Sequence, residues 1–328
     1  MNKSEIYKNL GVKIDMAVEA HDIVRGDTGQ EIPGVKMDRD HTEHAEVTVI
    51  HIQDPSAEQM MGKPRGTYIT IDAPVIREPD KQAHNEVART FAKHLRTLLK
   101  LSPNDNVLIV GLGNWNATPD ALGPRVVHYS LVTRHLHQYG PKEAIAGLRP
   151  VSALAPGVLG ITGIETAEII KGVVEKTRPS LVIAIDALAA QSVDRIAASI
   201  QLADTGISPG SGVGNKRIGI NQESMGVPVI AIGVPTVVNA ATIAHETLNK
   251  FLQQMAANPV TQNSVQNLNP ITMQQIIQGV LQPYTGNLMV TPKEIDDLID
   301  NISKIVAKGI SQALHPEVDP EEFELLLH

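Results

Sequence analysis

Cysteine is absent from the 328 residues, which removes thiol catalysis, zinc–thiolate sites, iron–sulfur clusters and disulfides together. With no disulfide framework to argue for an oxidising compartment, a reducing cytoplasm is the simplest expectation. No window is apolar enough to span a bilayer, and Met1 to Leu10 lack the apolar stretch of a signal peptide. There is no basic tract either. A formal charge of −8 argues against direct binding of nucleic acid, which rests on neutralising phosphates with Lys and Arg. What remains is a chain with 42% hydrophobic residues, enough for a large packed core.

Familiar catalytic signatures are also missing. Gly111-Leu112-Gly113 follows an apolar run but lacks the third glycine of a dinucleotide fingerprint. No Gly-x-Ser-x-Gly elbow is present, and His245-Glu246-Thr247-Leu248-Asn249 has no second histidine for a zinc protease helix. Asp-Thr-Gly occurs at residues 27–29 and 204–206, as in pepsin-like enzymes, but neither triplet is followed by Ser or Thr and the patterning is not all-β, so both read as turns. In Pro209 to Arg217 the lysine is followed by Arg217 and not by Ser or Thr, which excludes a P-loop. Gly210, Ser211, Gly212, Lys216 and Arg217 read instead as a loop that closes over an extended peptide.

The patterning that is present predicts an α/β fold, with an open, mostly parallel sheet flanked by helices, added antiparallel strands and a C-terminal helical segment. Val107 to Val110, Leu181 to Ile185 and Val227 to Ile232 are continuous apolar runs, as strands buried on both faces require. Helical periodicity over Gln82 to Pro103, Ala121 to His137, Glu165 to Lys176 and Asn239 to Met255 supplies the flanking layers. Alternation over Glu46 to Ile52 and Thr67 to Ile71 predicts two antiparallel strands joined across Met60 to Arg65. Residues 256–269, rich in Gln and Asn, read as a linker or exposed loop. Thr291-Pro292-Lys293-Glu294 reads as a capping box that opens a last helix.

Chemistry is concentrated in two aspartates. Asp120 lies in a loop after the first parallel-type run, and Asp186 ends the second, where an unpaired carboxylate is costly. The carboxyl ends of parallel strands form the ligand crevice of such sheets, so the two residues are expected to meet there. Taken singly, Asp120 also reads as a helix N-cap and Asp186 as the partner of Arg195. As a pair they suit acid–base activation of water, or oxygen ligation of a divalent metal with His128 or His135 added. A peptide or metal binder without catalysis is a further alternative. Arg125, Arg149, Lys216 and Arg217 are candidates for reading an acidic flank of a substrate.

These segments resemble the germination protease family of spore-forming bacteria, atypical aspartic endopeptidases. The likeness rests on Leu108 to Asn114 with Thr118 to Pro124, Arg149 to Ala153, Pro156-Gly157-Val158, Gly163 to Thr166, Ala184 to Ala190, Pro209 to Arg217 and Asn287 to Glu294. It implies a hydrogenase-maturation-peptidase-like fold, a cytoplasmic homotetramer in the forespore and spore core, and small acid-soluble DNA-protecting spore proteins as substrates. It implies Asp120 and Asp186 as the catalytic pair, preferred here without metal or cofactor. The family's cleavage pattern, an acid before the bond, then an apolar residue, Ala, and an acid two places on, matches Ile14-Asp15-Met16-Ala17-Val18-Glu19. Self-processing is therefore expected between Asp15 and Met16, with 1–15 as propeptide and 16–328 as one catalytic domain carrying a helical extension over about 270–328. Asn239 stands where the family pattern leads one to expect an acid.

Overall fold

The computed structural model describes residues 7, 12, 14–26, 29–141, 145–208, 218–257, 270–281, 284 and 288–318. Its strands are β1 (Val35–His41), β2 (Glu46–Ile52), β3 (Gly66–Asp72), β4 (Val107–Gly111), β5 (Val151–Leu154), β6 (Leu181–Ala190), β7 (Ser199–Ala203), β8 (Val229–Asn239) and β9 (Met289–Val290). One sheet takes the order β1-β2-β3-β7-β8-β6-β4-β5, with β9 added on β8. β5, β4, β6 and β8 run parallel, and the remaining pairings are antiparallel. The expected parallel block with antiparallel additions is therefore present.

Helices cover both faces of the sheet. They are α1 (Ala17–Arg25), α2 (Pro55–Met61), α3 (Lys81–Leu98), α4 (Leu122–Tyr129), α5 (Arg134–Tyr139), α6 (Leu159–Thr162), α7 (Thr166–Thr177), α8 (Gln222–Met225), α9 (Ala240–Ala257), α10 (Pro270–Leu281) and α11 (Ile295–Leu314). On one face Phe91 and Leu95 of α3, Leu122 and Val126 of α4, and Ile302 and Val306 of α11 pack on Ile109, Ile183, Ile185 and Ile232. On the other, Ala167, Ile170 and Val174 of α7 meet Leu108, Val110, Val182 and Ala184. Further along that second face, Met16 and Ala17 pack with Ile50, Tyr68, Leu188, Ala203 and Ala231.

Four expectations need correction. The helix expected over Ala121 to His137 is two, α4 and α5, because the Thr133 hydroxyl donates to the Arg149 carbonyl and accepts the Val151 N–H, which ties the chain to the start of β5. Between β2 and β3 lies α2, with Asp54 capping the Ala57 N–H, rather than a plain connection at Met60 to Arg65. β6 and β8 run past their apolar runs, to Ala190 and Asn239. The capping box at Thr291 does not form. α11 starts at Ile295, and the Thr291 hydroxyl donates to the Thr236 carbonyl at 2.9 Å. The stretch 258–269, and with it most of the expected linker, lies outside the described residues.

β4 meets α4 at two glycines. A Cβ on Gly111 would lie 2.1 Å from the Gly123 carbonyl oxygen, and one on Gly123 would lie 2.2 Å from that of Leu112. Backbone atoms cannot yield as a flexible side chain can, so this contact fixes how the loop between them leaves the sheet. Gly111→Ala is expected to lower unfolding stability by about 2 kcal/mol or more, measured by denaturant titration. A variant as stable as wild type would show that the contact is loose.

Candidate active site

Asp186 sits inside β6, 6% exposed, and its Oδ1 accepts its neighbour Ala187's N–H at 3.0 Å. Its register partner on β8 is Gly233, whose own partner on β7 is Gln201. Residues in such a row share one face of the sheet. A Cβ at Gly233 would lie 2.3 Å from Leu188 Cδ1, so the glycine leaves that space to Leu188. Arg195, the expected ion-pair partner of Asp186, instead pairs with Asp72 at 2.6 Å and Glu19 at 3.6 Å.

Asp120 closes a short 3-10 turn, Thr118–Asp120, that packs against β6 and β8. The loop reaching it starts with the Leu112 N–H donating to the Ile185 carbonyl at 2.8 Å, next to Asp186. Gly113 then adopts φ +114, and a Cβ there would strike the Asp120 carbonyl oxygen at 2.0 Å, so this close approach requires glycine. The Asn114 N–H lies 3.1 Å from the Asp120 carbonyl oxygen and 2.8 Å from its Oδ2. Asp120 is not the cap of α4, whose N-cap is Ala121 without a side-chain bond.

After β4 the chain runs to β5 on one side, and after β6 it runs to β7 and β8 on the other. This is a topological switch point, and the crevice at the carboxyl ends of β4 and β6 is where such sheets bind ligands. The Asp120 turn lies at this switch point, against the strand that carries Asp186. His128 and His135 do not join them. Both are exposed, with the His128 ring against Trp115 and Tyr129, and among the described residues the grouping with metal-ligand spacing is Glu43, His44 and Glu86, on the turn after β1 and on α3.

Arg125 pairs with Asp296 and Asp300 of α11, and Arg149 binds the carbonyls of Ser102, Asp105 and Leu314, so both tie the fold together. Gly210, Ser211, Gly212, Lys216 and Arg217 lie outside the described residues. Asn239 is buried, and its Oδ1 caps α9 by accepting the Ala241 N–H at 2.8 Å.

Sequence reading overlooked the docking of residues 14–19. Asp15 and Met16 are buried, 8% and 0% exposed. Asp15 Oδ2 accepts the Ala189 N–H at 3.0 Å and its carbonyl accepts Lys63 Nζ at 2.7 Å, while the Ala17 N–H donates to Gln201 Oε1 at 2.6 Å. Glu19 Oε1 accepts the Gln191 N–H at 2.8 Å. Lys63 lies in a polar connection where nothing in the sequence marks it.

Comparison with known proteins decides the family. The germination protease family model matches residues 14–274 and 263–326. A germination protease of Caldanaerobacter subterraneus is 49% identical over 323 residues, covering 97% of this chain and 99% of that one. Those of Clostridium tetani and Bacillus cereus are 45% and 41% identical, each over 97% of this chain and over 100% and 97% of their own length. The chain belongs to the germination protease family. Among solved structures, a [NiFe] hydrogenase maturation protease from Thermococcus kodakarensis covers 66% of this chain and 98% of its own, at 14% identity and a TM-score of 0.31, too loose a likeness to carry an inference. The family makes this chain a protease.

Within this protease, burial pushes the Glu19 carboxyl up to about 7, against the Gln191 N–H and Arg195, with Asp15 and Asp72 adding to the rise. The folded chain thus keeps this proton up to about pH 7, whereas the unfolded chain releases it near 4.5. Its burial is free below the unfolded value and carries its full cost, roughly 3 kcal/mol at most, above the folded one. Stability from this group therefore falls as pH rises through that window. The melting temperature of wild type is expected to drop between pH 6 and pH 8 by more than that of Glu19→Gln. Equal slopes would show that Glu19 is ionised throughout.

Proposed function

We propose that this protease is an aspartic-type endopeptidase, made as a precursor that cuts itself between Asp15 and Met16. Its substrates are the small acid-soluble proteins that protect spore DNA, degraded in the spore core during germination. The observation that carries this reading is the position of the Asp120 turn and of buried Asp186 at the switch point between β4 and β6.

In the mechanism, one carboxyl of the pair is ionised and the other protonated. A water between them gives a proton to the carboxylate as its oxygen bonds to the scissile carbonyl carbon. The protonated partner then gives its proton to the leaving nitrogen as the C–N bond breaks. One proton has entered the pair and one has left, so the pair is ready for another turnover. Acid–base catalysis of this kind supplies about 10²- to 10⁴-fold, so backbone donors of the glycine-bearing loop after β4 add stabilisation of the oxyanion.

Two features support the remaining parts of the reading. The acids of Asp15-Met16-Ala17-Val18-Glu19 are engaged by Ala189 of β6 and by Gln191 just beyond its end, which holds the junction on the face of the sheet that carries Asp186. Phe251 of α9 and Ile276 and Val280 of α10 are exposed apolar side chains on two helices that pack together, a surface suited to burial in a homotetramer.

Purified wild-type chain is expected to mature to a Met16 terminus by mass spectrometry and to cut peptides carrying the junction sequence, and exhaustive chelation is expected to leave both intact. Asp120→Asn and Asp186→Asn are each expected to stay at full length and to lose cleavage at least 100-fold while melting as wild type does. Turnover in either variant would remove that residue from the pair, and activity lost to the chelator and restored by a divalent metal would favour metal-assisted hydrolysis. Peptide retained without fragments would make the protein a binder. Light scattering is expected to give four copies, and a monomer would contradict the assembly.

A further inference from the structure

We infer that Lys63, Gln201 and the Ala189 N–H form the subsite that reads the acidic residue before the cut bond, and that in the precursor Asp15 fills it. This rests on the peptidase reading and on cleavage after Asp15. All three contacts fall on that one residue. Its carboxylate takes the Ala189 N–H, its carbonyl takes the Lys63 ammonium, and the Gln201 amide spans the junction, accepting the Ala17 N–H and donating to the Asp15 carbonyl at 3.5 Å.

The Ala189 N–H reaches Asp15 at a break in the sheet. The β6–β8 register shifts between Leu188 and Ala189, so Pro235 faces the former and Val237 the latter. A bulge of this kind loosens the ladder and re-aims backbone groups. Gln201 shares a row with Gly233 and Asp186, which sets it two strands from Asp186, about 10 Å, on the same face. The Leu188 side chain fills the space over Gly233 within that row. The junction that Gln201 holds is therefore docked on the face that carries Asp186, with Leu188 between them.

Charge argues for an acid as the natural occupant. Lys63 is buried, burial lowers its ammonium pKa, and the fields of Asp15 and Glu19 oppose that loss. When residues 1–15 depart, Lys63 loses one of its two balancing carboxylates. Lys63 already lines a cavity of about 640 Å³ together with Asp15, Tyr68, Gln201, Leu188 and Gly233. A buried cation beside open space favours an incoming carboxylate over a neutral side chain. The precursor and its substrates then compete for one subsite, which accounts for latency without a separate inhibitory element.

The test uses full-length chain allowed to mature, and two peptides spanning residues 10–22, one of native sequence and one with Asp15→Asn. Wild type is expected to favour the native peptide about tenfold or more in kcat/KM. Lys63→Met is expected to abolish the preference by slowing the native peptide alone, and Lys63→Arg to keep it. A Lys63→Met enzyme with the preference intact would overturn the inference. Should that variant fail to fold or mature, wild type decides. A peptide of residues 10–15 should then inhibit competitively at least tenfold better than its Asp15→Asn counterpart, and equal inhibition would overturn the inference. Wild type that cuts neither peptide refutes the peptidase reading, and this inference with it.

Discussion

A single backbone hydrogen bond, from the Leu112 N–H to the Ile185 carbonyl, carries the β4–β6 pairing one residue past the end of β4. Everything at the carboxyl edge is hung on it. The bond anchors the start of the Asp120 loop beside Asp186, and the Gly111–Gly123 contact fixes where α4 turns back. Gly113 then lets Asp120 approach the loop closely enough for its carboxylate to take the Asn114 N–H. Two segments 66 positions apart in sequence are brought together at the carboxyl end of β4 by strand pairing and glycine contacts.

The same strand that carries Asp186 also organises the amino-terminal segment. Beyond Asp186, the N–H groups of Ala187, Ala189 and Gln191 donate to the carboxylates of Asp186, Asp15 and Glu19 in turn. Asp186 and the docking of the amino-terminal segment thus share one element. The segment is held because its acids are hydrogen-bonded and Met16 is buried, by side chains and backbone donors of the folded body. Glu19, whose burial is cheapest when protonated, makes the hold weaken as pH rises towards 7 and beyond.

Much of this was legible in the sequence where burial dictates composition. Strands covered on both faces must be apolar throughout, so β4 and the first halves of β6 and β8 stand out, and an aspartate ending such a run marks the crevice. The second halves were illegible. After Asp186 the strand continues as Ala187, Leu188, Ala189 and Ala190, none of them β-branched, and β8 passes through Pro235 and Thr236. β1, Val-Lys-Met-Asp-Arg-Asp-His, is an edge strand whose charges hide its pattern, as edge strands commonly do. The break after Tyr129 depends on Thr133 docking against β5, a tertiary contact with no local signal. Lys63 was missed for the same reason, since its role is set by a segment 48 residues away.

The central claim is that Asp120 and Asp186 act as a unit on one water. The most direct measurement compares kcat/KM for one fluorogenic peptide across Asp120→Asn, Asp186→Asn and the doubly substituted chain. Groups that work on the same step lose activity non-additively, so the account requires the double variant to be no slower than the worse single one. Losses that multiply would mean two independent sites and would contradict it.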